Sequence, residues 1–148
     1  MRIDLLRSAD VLSVTALLRK IDRSLFDGLP LDPCALGVEL AAARRDRYWG
    51  IWDGVDLQAA FFLRGLDTGY VAPAFGIAVA PVAQRSGYGQ LALSFAEIWS
   101  RRAGLDEIML TVSAANKPAI ALYEKLGFVC TGERSAKGNY IYRKSLSK

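Results

Sequence analysis

The chain contains no histidine among its 148 residues, and that absence excludes more than any residue present. Without imidazole there is no Ser-His or Cys-His nucleophile pair, no histidine general base and no histidine-ligated zinc. Proton transfer is left to carboxylate, tyrosine, lysine, thiol or water, and no metal is expected. Cysteine is nearly as scarce. Cys34 and Cys130 are far apart and without metal-ligand spacing, which predicts two buried thiols in a reducing compartment rather than a disulfide framework. No stretch approaches the roughly 18 apolar residues of a membrane span. The opening Met1-Arg2-Ile3-Asp4 lacks the apolar core and cleavage site of a signal peptide. The expectation is a soluble, cytoplasmic protein with no membrane partner.

What is present suits one ordinary domain spanning residues 1–148, since 52% hydrophobic content is enough to bury a core without staples. There is no repeat, low-complexity tract or linker. The net charge of +4 and pI near 9.2 suit a polyanionic partner, but the basic residues are scattered and interleaved with acids. A phosphorylated cofactor satisfies that balance as well as nucleic acid would. The missing basic-aromatic motif argues against nucleic acid.

Periodicity predicts a first strand over Arg2–Leu6, then a helix capped by Ser8 and running to about Asp22, with Val11, Val14, Leu17, Leu18 and Ile21 along one side. Asp27-Gly28-Leu29-Pro30 signals a turn, and a second helix follows over about 33–44. Tyr48–Asp53 and Leu57–Arg64 read as strands joined across Asp53-Gly54. After a loop over Gly65–Pro73, Phe75–Val79 is a strand that leads through Pro81 into a helix from near Gly89 to about Ala103. That helix ends with Arg101, Arg102 and Gly104, where cations and glycine belong. Glu107–Val112 reads as a strand, Asn116–Leu126 as a helix, and Phe128–Thr131 with Asn139–Lys144 as a last strand pair. The order is ββα then βαββ around a mixed sheet, with a parallel crossover at its middle.

Two constellations carry chemistry. The first is Gln84-Arg85-Ser86-Gly87-Tyr88-Gly89, between a strand and a helix. Two glycines two apart let successive backbone N–H groups point into one concavity at the positive end of a helix, where phosphate oxygens are the natural occupants. The second is Asn116-Lys117-Pro118-Ala119-Ile120-Ala121-Leu122-Tyr123-Glu124-Lys125-Leu126-Gly127-Phe128. Asn116 is a good N-cap, with Pro118 in the first turn. Tyr123 lies two helical turns later on roughly the same face. Spacing alone also suits an ordinary core stripe of Ala119, Leu122, Tyr123 and Leu126.

Over Phe75–Lys144 these residues resemble the GNAT superfamily, the acetyl-coenzyme A dependent N-acetyltransferases. Gln84 through Gly89 match its Gln/Arg-x-x-Gly-x-Gly/Ala pyrophosphate loop, and Asn116, Tyr123 and Leu126-Gly127-Phe128 match its second signature. The resemblance implies an α/β (α+β) fold with a mixed, mostly antiparallel sheet of about six to seven strands flanked by about four helices. It implies acetyl-CoA as the cofactor, its pyrophosphate held by amides from Arg85 to Gly89 with side-chain help from Gln84 and Arg85. Tyr88 would pack against the pocket wall. Backbone groups of Ile77, Ala78 and Val79 would meet the pantetheine arm and thioester carbonyl. Asn116 would also contact the cofactor. Tyr123, a phenol with an ordinary pKa of about 10, would be the general acid that protonates the departing thiolate.

The implied reaction is direct attack of an unprotonated primary amine on the thioester carbon, with N–H groups near Val79 polarising the carbonyl. Asp53, Asp67, Glu39 and Tyr70 are candidates for removing the ammonium proton, and spacing favours none. Arg64, Asp67 and Tyr70, in the segment before the central strand, are candidates to bind the acceptor. The passage resembles members acting on amino sugars or nucleotide-linked sugars; a peptide N-terminus, amino acid, polyamine or aminoglycoside fits the residues as well. A coenzyme A-binding regulatory module without catalysis is the rival reading. A homodimer would be common for such a fold.

Overall fold

The computed structural model describes residues 1–22 and 28–146. Seven strands form one sheet: β1 (Arg2–Leu5), β2 (Arg47–Asp53), β3 (Asp56–Arg64), β4 (Ala74–Val79), β5 (Glu107–Val112), β6 (Val129–Arg134) and β7 (Tyr140–Ser145), in the order β1-β2-β3-β4-β5-β7-β6. Every neighbouring pair is antiparallel except β4 and β5. Four helices cover the faces: α1 (Val11–Arg19), α2 (Pro33–Ala42), α3 (Tyr88–Arg102) and α4 (Lys117–Lys125). This is the expected mixed sheet with its expected helices.

The helices lie on both sides because the central strands are apolar on both sides. In β3, Ala59, Phe61 and Leu63 join one core with Leu93 and Ala96 of α3 and Tyr123 of α4. Ala60 and Phe62 join the other with Val14 and Leu18 of α1 and Leu36 of α2. A strand buried on both faces reads as an unbroken apolar run rather than an alternation, and Ala59–Leu63 is such a run. Trp49 anchors the first core, stacked on Phe61 at 5.2 Å and edge-on to Phe95 and Trp99.

Several local expectations change. Ser8 caps nothing: it lies in a 3-10 turn over Ser8–Asp10, where the Asp10 carboxylate accepts the Arg7 N–H at 2.8 Å. α1 starts at Val11 and ends at Arg19, short of Asp22. The β2–β3 turn is Gly54-Val55, between the paired Asp53 and Asp56, with Gly54 at φ 61°. The turn signal at Asp27 lies outside the described residues. Both cysteines are exposed rather than buried, Cys34 on the first turn of α2 and Cys130 on the edge strand β6, elements whose outward positions meet neither core.

Two close approaches hold the sheet's middle. Gly76 lies beneath the Phe62 ring, where a Cβ would stand 2.2 Å from Cζ. Asp67, in a 3-10 turn after β3, accepts the backbone N–H groups of Arg44, Arg45 and Asp46 at 2.9, 2.7 and 3.2 Å, while Asp46 accepts the Asp67 N–H at 3.1 Å. The entry to β2 and the exit from β3 are thereby tied together.

Gly76→Val is expected to destabilise the fold by about 1–3 kcal/mol through overpacking against Phe62, read as a lower urea midpoint at unchanged slope. Three amide donors, that of Arg44 foremost, hold the Asp67 carboxyl below its ordinary pKa. The carboxylate's contribution is therefore full above about pH 4 and is lost as pH falls through the lowered value. Asp67→Asn should accordingly be less stable than the wild type at neutral pH, with the difference closing on the acid side in thermal melts.

Candidate active site

The site begins where the sheet parts. β4 pairs with β3 along its whole length, Ala74 with Arg64 through Val79 with Ala59. With β5 it registers only at Ala74 and Phe75. Beyond Phe75 the two parallel strands diverge, and the flank of β4 from Gly76 to Val79 has no strand beside it.

The ladder shows which groups face that gap. Ala80 N–H donates to the Gln58 carbonyl, and Met109 N–H donates to the Pro73 carbonyl. Even-numbered residues of β4 thus direct their main-chain groups at β3, and odd-numbered ones at β5. Ile77 and Val79 aim their N–H and C=O groups into the cleft. Ala78 contributes its side-chain face, since its own amide belongs to the β3 ladder. The Val79 carbonyl accepts from Gln84 Nε2 at 3.4 Å.

At the end of β4 the chain turns through Pro81–Ala83 into the glycine loop. Gly87 caps α3 at φ 85°, and no side chain caps the helix. Leu91 N–H donates to the Gly87 carbonyl, but the N–H groups of Gly87, Tyr88, Gly89 and Gln90 have no acceptor among the described residues. Four unpaired donors at a helix N-terminus make a local positive pole. Arg85 stands beside them at φ 64°, a left-handed conformation that non-glycine residues seldom adopt. A Cβ on Gly87 would meet nothing within 4 Å, so its glycine requirement is one of backbone conformation. A Cβ on Gly89 would lie 3.3 Å from Leu122 Cδ2, where α3 approaches α4.

Loop, β4 and α4 enclose a cleft of about 530 Å³. Gln84, Arg85, Gly87, Tyr88 and Gly89 line it with Ile77, Ala78, Val79, Asn116 and Tyr123. The structure therefore brings together every residue assigned to the cofactor from the sequence except Ser86, which is exposed on the same loop and does not line the wall. Asn116 caps α4, its Oδ1 accepting the Ala119 N–H at 3.4 Å. Tyr123 is 9% exposed and packs on Phe128, ring centroids 6.0 Å apart. No described group bonds its hydroxyl, and the only sealed, unpartnered side-chain polar atom among the described residues is Ser100 Oγ. The phenol oxygen thus opens to the cleft. Burial pushes its pKa up to about 12, so it holds its proton at neutral pH.

The acceptor and base candidates are not brought to this cleft. Arg64 donates to the Gly28 carbonyl and, at 3.0 Å, to Glu39 Oε2, which also accepts the Tyr48 hydroxyl at 2.7 Å. Asp67 is occupied by the three amides described above. Tyr70 folds its ring over Gly65, and Asp53 is exposed at the β2–β3 hairpin. None of them lines the wall. Asp22, which no sequence pattern singles out, does. Its place follows from α1 packing across β3 and β4, a tertiary fact without local signal.

Residues 22–128 match the sequence profile described as the Acetyltransferase (GNAT) family. A search of the curated proteins returned no match to this chain. Among solved structures, an N-acetyltransferase from Staphylococcus aureus Mu50 superposes with a TM-score of 0.84 at 14% identity, covering 99% of this chain and 98% of that one. YncA from Salmonella typhimurium, solved with its cofactor acetyl-CoA, gives 0.83 at 17% identity, covering 100% and 95%. The PaiA N-acetyltransferase of Thermoplasma acidophilum, in complex with coenzyme A, gives 0.81 at 17% identity, covering 97% and 98%. With the profile spanning most of its length and its fold shared end to end with such proteins, the chain belongs to the GNAT acetyltransferase family.

Proposed function

We propose that the protein is an N-acetyltransferase that moves the acetyl group of acetyl-CoA to a primary amine of a small molecule. One observation carries the reading: the main-chain groups of Ile77 and the N–H of Val79, with no strand beside them, run along an open strand flank toward the amides of Gly87 to Gln90, which have no acceptor among the described residues. A chain of amides ending in a diphosphate fits such a track, strand-like at one end and anionic at the other.

In this reading the Gly87–Gln90 amides hold the pyrophosphate, with Arg85 supplying charge and Gln84 bracing the Val79 carbonyl. Bound acetyl-CoA supplies an activated thioester. The Ile77 and Val79 N–H groups orient the pantetheine amide and polarise the thioester carbonyl, which lowers the barrier to attack by nitrogen. As the new C–N bond forms and the C–S bond breaks, the Tyr123 hydroxyl gives its proton to the departing thiolate, and the proton shed by the attacking nitrogen passes through water to restore the phenol. Its raised pKa suits a donor that must stay protonated until that moment. The acceptor is an amine such as that of an amino sugar or nucleotide-linked sugar; a peptide amine is the second reading.

Gly87→Val should weaken acetyl-CoA binding about tenfold or more, since a branched side chain disfavours the left-handed backbone that aims the amides. Calorimetry on the folded variant checks this, and wild-type affinity would move the cradle elsewhere. Tyr123→Phe should lower kcat about a hundredfold with acetyl-CoA affinity nearly unchanged, read by acetyl-CoA-dependent thiol release across an amine panel. Undiminished turnover would remove the tyrosine from the chemistry.

A further inference from the structure

α4 is a short helix whose placement packing alone does not settle. Of its nine residues only Tyr123 is buried, and a helix of that length holds its own shape only marginally. Its C-terminal end is instead tied to β7, which lies between β5 and β6 in the sheet. The Tyr142 hydroxyl donates to Glu124 Oε2 at 2.9 Å, and the Lys144 ammonium donates to the Leu126 carbonyl at 2.8 Å. Leu126 is the C-cap of α4, so the cation meets one of the carbonyls that a helix end leaves without an internal partner, at the negative pole of the helix. The lysine stem crosses Gly127, where an added Cβ would stand 3.4 Å from Lys144 Cε. One residue on, the Phe128 N–H donates to the Tyr123 carbonyl at 3.0 Å, and the Phe128 ring packs on the phenol.

The same ammonium has a second partner. Glu97 of α3, 9% exposed, accepts from Lys144 Nζ at 2.9 Å through Oε1 and at 3.1 Å through Oε2. Three oxygens thus stand against the three donors of an ammonium. α3 opens at the glycine loop, and α4 carries Tyr123. One side chain of β7 therefore joins the helix that begins at the anion cradle to the helix that holds the phenol. An ion pair in so sheltered a place adds little net stability, because the cost of desolvating both charges offsets their attraction. What it does supply is a single fixed arrangement of the two helices.

We propose that Lys144, oriented by Glu97, is a positioning residue for the proton transfer assigned to Tyr123: it fixes the end of α4 and so sets the reach of the phenol across the cleft from the Gly87–Gln90 amides. The inference rests on the acetyltransfer reading, in which the thiolate leaves from a cofactor anchored at those amides and must meet a hydroxyl held at one reach. A displacement of about 1 Å near a reacting centre costs up to about a hundredfold in rate.

Thiol release from acetyl-CoA, with whichever of glucosamine, spermidine and L-alaninamide turns over fastest, tests this in wild type, Lys144→Met, Glu97→Gln/Lys144→Met, Tyr123→Phe and Tyr123→Phe/Lys144→Met. Methionine keeps the bulk of the lysine stem. The added Glu97→Gln removes the carboxylate that Lys144→Met leaves with only the 3.7 Å contact to Arg101, which keeps a folded variant in the set. Lys144→Met and Glu97→Gln/Lys144→Met should each lower kcat about tenfold, with the acetyl-CoA dissociation constant within about twofold of the wild type. In the Tyr123→Phe background, Lys144→Met should cost nothing further, since the group it positions is gone. Hydrogen exchange should quicken at the Leu126, Gly127 and Phe128 amides when Lys144 is replaced and stay at the wild-type rate in β2 and β3. An equal loss of kcat in both backgrounds, no loss in either, or unchanged exchange at those three amides overturns the proposal. Undiminished turnover by Tyr123→Phe would instead remove the tyrosine as proton donor, and no thiol release by the wild type with any of the three amines would remove the acetyltransfer reading itself.

Discussion

The divergence of β4 from β5 after Phe75 is the constraint on which the rest of the molecule turns. Two parallel strands that stayed in register would satisfy each other's amides and leave no cleft. By parting, they strand the main-chain groups of Ile77 and Val79 in a position where another amide-bearing chain is the fitting partner. The crossover that links them, through the glycine loop and α3, places an uncapped helix N-terminus at the open end. The same separation makes room for α4 to bring Tyr123 to the opposite wall. Cradle, track and phenol are consequences of a single break in a ladder.

Electrostatics then divide the space. Among the described residues of the wall, Arg85 and Asp22 bring charges of opposite sign, and the Tyr123 phenol, with its pKa raised by burial, keeps its proton at neutral pH. The chemistry needs no imidazole. On the proposed reading the donors are backbone N–H groups and a buried hydroxyl, which is how a chain without histidine would hold a site for group transfer. The price is that nothing in the composition marks the acceptor side.

That division also separates what the sequence showed from what it hid. Gln84–Gly89 and Asn116–Phe128 are local: a glycine pair, a cap and a helical spacing each leave their mark within a dozen residues, and the strands and helices around them followed from periodicity. The helix start was misplaced because Ser8 looks like a cap in isolation, whereas Asp10 satisfies the Arg7 amide. The acceptor candidates Arg64 and Asp67 are polar loop residues by sequence, but their partners, Gly28, Glu39 and the Arg44–Asp46 amides, come from distant segments. Asp22 was invisible for the same reason in reverse: only the packing of α1 across the sheet carries it to the cleft. Polar residues with long-range partners are where linear reading fails.

The join between the two halves of the sheet is slender, two residue pairs between β4 and β5, with α3 and its aromatic neighbours spanning the seam from one side. On the proposed reading, a molecule lodged in the opening would act as the missing length of strand. Its binding free energy would then add to the cohesion of the whole domain by mass action, and the resistance of the protein to heat would become a gauge of how fully that seam is occupied.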